Sequence, residues 1–443
     1  METEILTHQT ENISEELKKS NGKLWYSIGI LNENEDLHTE AIRCYEISLK
    51  HNPYNLDALL HLAHIYKLKK QYLEAVHCYD EYLKINPKDG HAWMNLGECF
   101  LALYELNKAH TCLKNANKFL RQDQKLWFQL GCLYEKAGLF DKAEMYYRKV
   151  LENGYPENVS EIQFKLAMIC KHNARYNEAY EILTNECWSN PPEGMEQPDI
   201  LCQLVQLFQL TNSIEIAKDA HMKAVSLLQQ NENQFVVIVL AWLIHLIAMN
   251  PTVRQVMAIE DELPYQVALN VITKDPSYKL GLYVYGRILA DSKHQQNAFD
   301  AFHQALQIDH NNPLYWCSIG NLYYNTEQYS EAIKAYFKAI SLSPQLPEVW
   351  YNMGSLYIFH NQKEDANSSF KRAHELDPKN PTYKSMNVYE KTNEKLPIID
   401  PSPFATLPHF TIDTFTKPSL NQELPLGTLQ ELQKIRVPDL TKP

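Results

Sequence analysis

The chain has 443 residues, 45% of them apolar and 22% charged, enough to bury a core, and it carries 27 Tyr against only 13 Gly. Its net charge of −12 opposes attraction to a nucleic-acid backbone, and no apolar run reaches the roughly 18 residues of a bilayer span, the most apolar stretch, Phe235 to Met249, being interrupted by His245. Nine cysteines without a C-x-x-C pair indicate neither a disulfide framework nor a zinc site.

Residues 1–21 carry Glu2, Glu4, Glu11, Glu15 and Glu16 and lack the basic start and apolar centre of a signal peptide. They read as an N-terminal extension of a soluble, intracellular chain. From residue 22 a pattern recurs every 34 residues. Trp25, Gly29, Ala41, Tyr45 and Pro53 begin it, and Leu62, Ala63, Tyr66, Ala75, Tyr79 and Pro87 repeat it. Trp93, Leu96, Gly97, Phe100, Ala109 and Ala116 form a third copy, Trp127, Leu130, Gly131, Tyr134, Ala143 and Tyr147 a fourth. Cys44, Cys78 and Cys112 share the interval, which explains them better than redox chemistry does.

A fifth copy (Leu166, Ala167, Ala179, Leu183, Pro191) closes the stretch 22–190. Over 191–275 the pattern degenerates. A sixth copy keeps Leu204, Phe208, Ala217 and Ala224 after an insertion around Pro191, Pro192 and Pro198. A seventh is broken, with a first helix expected at about 235–249, a second at about 263–273 and an irregular connection after Pro251. Over 276–379 the register recovers through Gly286, Ala298, Phe302 and Ala305. The two cleanest copies follow: Trp316, Ile319, Gly320, Tyr323, Ala332, Tyr336, Ala339, Pro344, then Trp350, Met353, Gly354, Tyr357, Ala366, Phe370, Ala373, Pro378.

This is the tetratricopeptide (TPR) pattern, in which each copy pairs two antiparallel helices. The small Gly lets the second helix approach, Ala marks the crossing, the following aromatic fills the gap to the next repeat, and Pro ends the second helix. The predicted fold is all-α, a right-handed TPR solenoid of about ten helix-turn-helix repeats. Residues 380–395 read as a polar capping helix that shields the last apolar face. Residues 396–443 read as a disordered Pro-rich tail, within which Leu426, Leu429, Leu432 and Ile435 have the spacing of a short amphipathic turn that orders on a partner. Repeats five to seven lack the Trp and Gly markers and carry Pro251 and Pro264, so hydrogen exchange is expected to be fastest over about 187–265, dividing the array into two arms. Removing Trp316 or Trp350 is expected to cost about 3–5 kcal/mol.

No phosphate loop, dinucleotide fingerprint, nucleophile elbow or H-E-x-x-H occurs, and the stretch after the repeats is too short for a catalytic domain. The expectation is a protein-binding scaffold without catalytic residues, cofactor or metal. Its partner-binding groove is placed on inward-facing positions of the first helices: Tyr26, Ile30, Leu60, His64, Met94 and Glu98 early in the chain, Asn321, Tyr324, Tyr351 and Ser355 late in it. A chaperone adaptor that grips an acidic peptide C-terminus would need Lys and Asn on adjacent first helices and Lys or Arg on the third. Asn321 and Asn352 are suitably placed, but the following helix offers Thr382 and Met386, and His64, Asn95 and Lys125 end likewise on Gln129. A scaffold in another assembly, such as a cell-cycle ubiquitin ligase or an RNA-decay complex, fits the same generic repeats.

The stretch Asn312-Pro313-Leu314-Tyr315-Trp316-Cys317-Ser318-Ile319-Gly320, continued by Leu322-Tyr323-Tyr324, Gln328-Tyr329, Ala332, Ala335-Tyr336, Ala339-Ile340 and Glu348-Val349-Trp350-Tyr351, resembles the TPR region of the fungal general transcriptional corepressor of the Ssn/Cyc type. The likeness recurs at Lys125-Leu126-Trp127, Gly131, Leu133-Tyr134 and Ala143-Glu144, and covers roughly residues 24–380. Cys317-Ser318 and Glu348-Val349 are not demanded by helix packing. The same TPR type is found in the UTX histone demethylases. The resemblance implies a nuclear scaffold that bridges DNA-bound transcription repressors to a WD-repeat corepressor partner and to histone deacetylases, with no direct contact to nucleic acid or membrane.

Overall fold

The computed structural model describes residues 2–154, 159–230, 233–257, 262–292, 294–378, 380–383 and 395–404. They divide into two compact units, one ending at Ile162 and one beginning at Gln163. The described residues are helical, with no strand among them.

The first unit holds four helical hairpins. They are α1 (Glu2–Asn34) with α2 (His38–His51), α3 (Leu56–Leu68) with α4 (Tyr72–Ile85), α5 (Gly90–Ala102) with α6 (Leu106–Phe119), and α7 (Gln124–Lys136) with α8 (Phe140–Glu152). The helix α9 (Val159–His172) crosses into the second unit and pairs with α10 (Tyr176–Ile182), which ends in a π-helical turn, Leu183–Cys187. Next come α11 (Gln197–Thr211) with α12 (Ile214–Gln230), then the interrupted copy α13 (Gln234–Met249), α14 (Pro251–Met257) and α15 (Leu263–Lys274). The chain bends by 114° between α13 and α14. Three regular hairpins complete the unit: α16 (Lys279–Asp291) with α17 (Gln295–Ile308), α18 (Pro313–Asn325) with α19 (Tyr329–Leu342), and α20 (Pro347–Phe359) with α21 (Lys363–Leu376). Each unit is thus a stack of TPR helix pairs. The two helices expected for the broken seventh copy lie within a residue of their spans, but the connection expected to be irregular after Pro251 begins as the helix α14.

Local chemistry sets these boundaries. Asn55, Asp89, Asp123, Asn233 and Asn312 cap first helices by accepting from N–H groups of the first turn, while Pro313 and Pro347 occupy a first-turn position where a missing N–H is harmless. First helices end on a left-handed residue: Asp36, Lys70, Tyr104 and Gly138, at 34-residue intervals, then Ala174, Asn212, Glu327 and Asn361. At Lys70 the N–H donates to Lys67 O at 3.0 Å and the next N–H, of Gln71, donates to Tyr66 O at 2.9 Å, which closes the helix in a Schellman arrangement.

The marker residues divide their work differently from expectation. A Cβ on Gly320 would lie 2.5 Å from Tyr336, and one on Gly131 would lie 2.5 Å from Tyr147. The aromatic of the second helix therefore packs onto the glycine of its own repeat, and Tyr45 also reaches His61 of the next repeat, at 5.7 Å. Three of the marker tryptophans act as staples to the preceding turn. Trp93 Nε1 donates to Pro87 O at 2.9 Å, Trp316 Nε1 to His310 O at 3.1 Å, and Trp350 Nε1 to Pro344 O at 3.0 Å, and all three are only partly buried. Cys44, Cys78 and Cys112 are buried on second helices, and burial pushes the Cys78 and Cys112 thiols up to about 12.

The degenerate repeats are not loosely held. The hydrophobic cluster spanning 164–288 includes α11 and α13 residues from Ile200 to Phe208 and from Val236 to Ile247. An all-apolar helix such as α13 can be solvated on no face, so enclosure replaces the missing markers. No single helix among the described residues is long and apolar enough to cross a membrane.

The tail differs from its expectation at its start. Residues 395–404 lie against the second unit, with Leu396, Pro401, Pro403 and Phe404 buried, because their polar backbone and apolar side chains find partners there. Of the expected capping helix, Pro381–Tyr383 forms a 3₁₀ turn. Residues 384–394 lie outside the described residues, as does the tail beyond Phe404 with the Leu426–Ile435 stretch.

Candidate functional site

The site is built from one register of the repeat. Two residues before and one residue after the marker glycine, a first-helix side chain leaves the hairpin interior. In repeats eight to ten these positions supply Arg287, Ser318, Asn321 and Asn352, and segment 395–404 lies across them.

Asn352, fully buried, grips one residue of that segment from both sides. Its Nδ2 donates to Ile399 O at 2.6 Å and its Oδ1 accepts from Ile399 N at 2.8 Å. The second Nδ2 hydrogen is directed at Asn321 Oδ1, at 2.9 Å, which also accepts from Tyr336 OH at 2.6 Å. Asn321 Nδ2 in turn donates to Ile399 O at 3.3 Å. Tyr336 thus fixes Asn321, and Asn321 fixes Asn352. A carboxamide held in this way reads main chain, which any extended segment can offer.

Side chains add selectivity at Asp400. Ser318 Oγ donates to Asp400 Oδ1 at 2.8 Å, and Tyr283 OH stands 3.0 Å from Ser318 Oγ. Arg287 donates through Nη1 to Pro401 O at 2.8 Å and carries its Nε 3.7 Å from Asp400 Oδ2. Burial works against its charge, but Asp400, Tyr283 and Asp291 outweigh that, and its pKa stands above the usual guanidinium value. The guanidinium also lies 5.2 Å over the Trp242 ring. Tyr324 OH donates to Leu396 O at 3.1 Å, and Lys395 Nζ lies 5.4 Å from the same ring.

Two apolar anchors hold the ends. Leu396 enters the cluster of α18 to α21 that contains Tyr351, Tyr357 and Tyr383. Phe404, fully buried, enters the cluster of α11 to α13 and meets Phe235 edge-on at 6.4 Å.

The residues expected to line the late groove separate accordingly. Asn321 and Tyr324 contact the segment. Tyr351 packs instead on Phe370 and Tyr383, at 5.4 and 5.7 Å, and Ser355 donates to Tyr351 O within its own helix. Tyr351 lies three residues before the glycine, a position directed into the hairpin core. Arg287 and Ser318 were missed, and the paired marker offsets were the signal that could have found them. The basic residue that the clamp lacked on the following helix lies on a preceding one, as Arg287, and Asn321 and Asn352 grip the interior of a segment and not a C-terminus.

In the first unit the same offsets carry Ile30, His61, His64, Asn95, Glu98 and Gln129. Lys67 Nζ donates to Asn95 Oδ1 at 3.0 Å and pairs with Glu98 at 3.1 Å, while His61 Nδ1 stands 2.9 Å from Glu33. Of the six residues expected there, His64 is exposed, Glu98 takes part in this pairing, and Tyr26, Ile30 and Leu60 are half-buried against the core. Met94, 3% exposed, is a core residue, again three before the glycine.

Tetratricopeptide-repeat family models match residues 56–89, 124–153 and 347–380, and a TPR-repeat model matches 320–358. The chain therefore carries tetratricopeptide repeats in both units. No curated protein matches the sequence. Among solved structures it is similar to MamA, at 21% identity over 35% of this chain and 90% of that one, with a TM-score of 0.33. It is also similar to YrrB, described as a TPR protein with an unusual peptide-binding site, at 19% identity over 41% and 92% with a TM-score of 0.35. For pilF of Pseudomonas aeruginosa the values are 14%, 48% and 95%, with a TM-score of 0.38.

Proposed function

We propose that this chain is a TPR scaffold that binds proteins through extended segments laid across the first helices of repeats eight to ten, and that it acts in the nucleus as a general transcriptional corepressor. In this reading it bridges DNA-bound repressors to a WD-repeat corepressor and to histone deacetylases. The observation that carries the binding reading is the two-sided grip of Asn352 on the Ile399 main chain. Binding through main chain suits a scaffold with several clients, because it leaves most of the client's sequence free. Support for the corepressor reading comes from the resemblance to the Ssn/Cyc type. Of the two dipeptides of that resemblance that packing does not require, Cys317-Ser318 stands at this site: Ser318 donates to Asp400, and Cys317 lies 3.8 Å from Asn352 Nδ2.

The test is affinity purification of the full chain from nuclear extract, followed by mass spectrometry. Recovery of a WD-repeat corepressor, a deacetylase and sequence-specific repressors is expected. A pull-down that contains none of these overturns the corepressor reading.

A further inference from the structure

We propose that the segment 395–404 is a resident stand-in for a partner's docking segment, so that the site takes in trans an extended peptide with an apolar residue, then Asp, then Pro, and an aromatic four positions after the Asp. This deepens the scaffold reading above and rests on it. The site states its own requirements. Arg287, Ser318, Asn321 and Asn352 are all buried under the segment. Without an occupant Asn321 keeps Tyr336 and Asn352, but Asn352, Ser318 and Arg287 lose the main-chain and carboxylate partners that they have under the segment, so the site favours an occupant with the same groups. An occupant must supply a main-chain N–H and C=O at one residue for Asn352, a carboxylate on the next for Ser318 and Arg287, and a further C=O for Arg287.

The remaining features select shape. Pro397, Pro401 and Pro403 fix their own φ and hold the residues before them extended, so little freedom is lost on docking. Pro401 also sits where only its carbonyl is used, which makes its missing N–H harmless. The eight-residue separation of Leu396 and Phe404 lets two apolar side chains enter two different clusters of the second unit, and sets register. Asp at this register stands between Ser318 and Arg287.

A tethered segment competes at an effective concentration that reaches the millimolar range, so the chain's own tail sets a threshold that a client must exceed. The experiment uses the full chain and a fluorescent peptide, Lys-Leu-Pro-Ile-Ile-Asp-Pro-Ser-Pro-Phe, read by anisotropy. The double variant Asp400→Arg, Phe404→Ser, which weakens the tethered copy alone, is expected to bind the peptide at least about tenfold tighter than the unaltered chain. Adding Arg287→Ala should abolish that gain, and a peptide with Arg in place of Asp should not bind. If the double variant loses helical signal, Asp400→Asn alone serves in its place with the same expectation. A helical variant that binds no tighter than the unaltered chain overturns the proposal and makes the segment a fixed strap. Recovery of nuclear partners unaffected by Asn352→Ala or by the tail variants would sink this motif while leaving the corepressor reading standing; tight peptide binding without nuclear partners would do the reverse.

Discussion

Asn352 treats Ile399 as a neighbouring β-strand would, donating to its carbonyl at 2.6 Å and accepting from its amide at 2.8 Å. A helix cannot offer its backbone in this way, since its N–H and C=O groups are used internally. A carboxamide carries an N–H donor and a C=O acceptor on neighbouring atoms, as a peptide group does.

Asn352→Ala removes the hydrogen bonds to Ile399 N, Ile399 O and Asn321 and should lower the stability of the docked segment by about 1–3 kcal/mol. Asn352→Asp keeps the size but replaces the donor by a charged acceptor facing Ile399 O and Asn321 Oδ1. The Asp variant should therefore be the worse of the two. Amide exchange at Ile399, followed by NMR, reports both, and an Asp variant as well protected as the native chain would contradict the geometry.

The left-handed closure of first helices predicts opposite signs at equivalent positions. Gly138 has φ +73 and a Cβ there would meet nothing within 4 Å, so Gly138→Ala tests backbone strain alone and should destabilise by about 1 kcal/mol. Tyr104, at φ 59, bears that strain already. Tyr104→Gly should relieve it, less what glycine adds to the freedom of the unfolded chain. Chemical denaturation of both variants decides. A loss of stability at Tyr104→Gly as large as that at Gly138→Ala would show that the Tyr side chain matters more than its φ.

The tryptophan staples revise an energetic expectation. Tyr336 is fully buried, lies on Gly320 and holds Asn321, whereas Trp316 is partly buried with its indole tied to His310 O. Tyr336→Ala should cost about 3–5 kcal/mol, and Trp316→Ala clearly less. Tyr336→Phe, which removes only the hydroxyl, should cost about 1 kcal/mol and loosen the segment. Equal losses at Trp316 and Tyr336 would restore the view of tryptophan as the core of each repeat.

Glu348 gives the late repeats a pH dependence. Burial, reinforced by Asp377 and Asp400, pushes its carboxyl up to about 7, and its Oε2 is buried without a hydrogen-bond partner. Its folded pKa exceeds its unfolded one, so its favourable contribution is complete below about 4.3 and is lost as pH rises through 7. Melting of the α18–α21 region should occur at higher temperature at pH 5.5 than at pH 8, and Glu348→Gln should remove most of the difference. A Gln variant with the native pH profile would assign the effect to another group.

The spacing of Trp, Gly, Ala and aromatic residues made the hairpins and even the broken seventh copy legible, because close packing at a fixed period leaves few alternatives. The binding register was half legible. Asn321 and Tyr324, expected in the groove, contact segment 395–404; Tyr351 and Met94 lie three residues before their glycine and pack inward, while Ser355, at the same offset as Asn321, bonds to its own helix. Arg287 was hidden because its function depends on Asp400, 113 positions later in the sequence. The left-handed closures were hidden for another reason. Only Gly138 among them is glycine, and Lys70, Tyr104 or Glu327 carry no sign of positive φ. Composition likewise gave the tail from 396 as disorder, since Pro-rich sequence without a period looks the same whether it is free or seated in a site built for extended chain.

The same distinction bears on where the second unit opens. From the missing markers and the prolines, exchange was expected to be fastest over about 187–265. Packing argues otherwise for most of that span. Helix α13 is buried from Val236 to Ile247 apart from the partly buried Val237 and Leu246, and His245 Nε2 lies 2.9 Å from Asp291 Oδ2, which ties it to α16. Trp242 lies 5.2 Å from His245 and under Arg287, so the helix is linked to the docked segment as well. Local opening is set by buried contacts and not by consensus score. Hydrogen exchange should therefore be slowest in the second unit over α11 and α13, with faster exchange confined to connections such as 188–196 and to the short helix α14. His245→Ala should raise exchange in both α13 and α16, because it leaves Asp291 without that partner and opens a cavity beside Trp242. Exchange-mass spectrometry that finds α13 among the first segments to open would reinstate the weak-repeat view and remove the argument that enclosure replaces the marker residues.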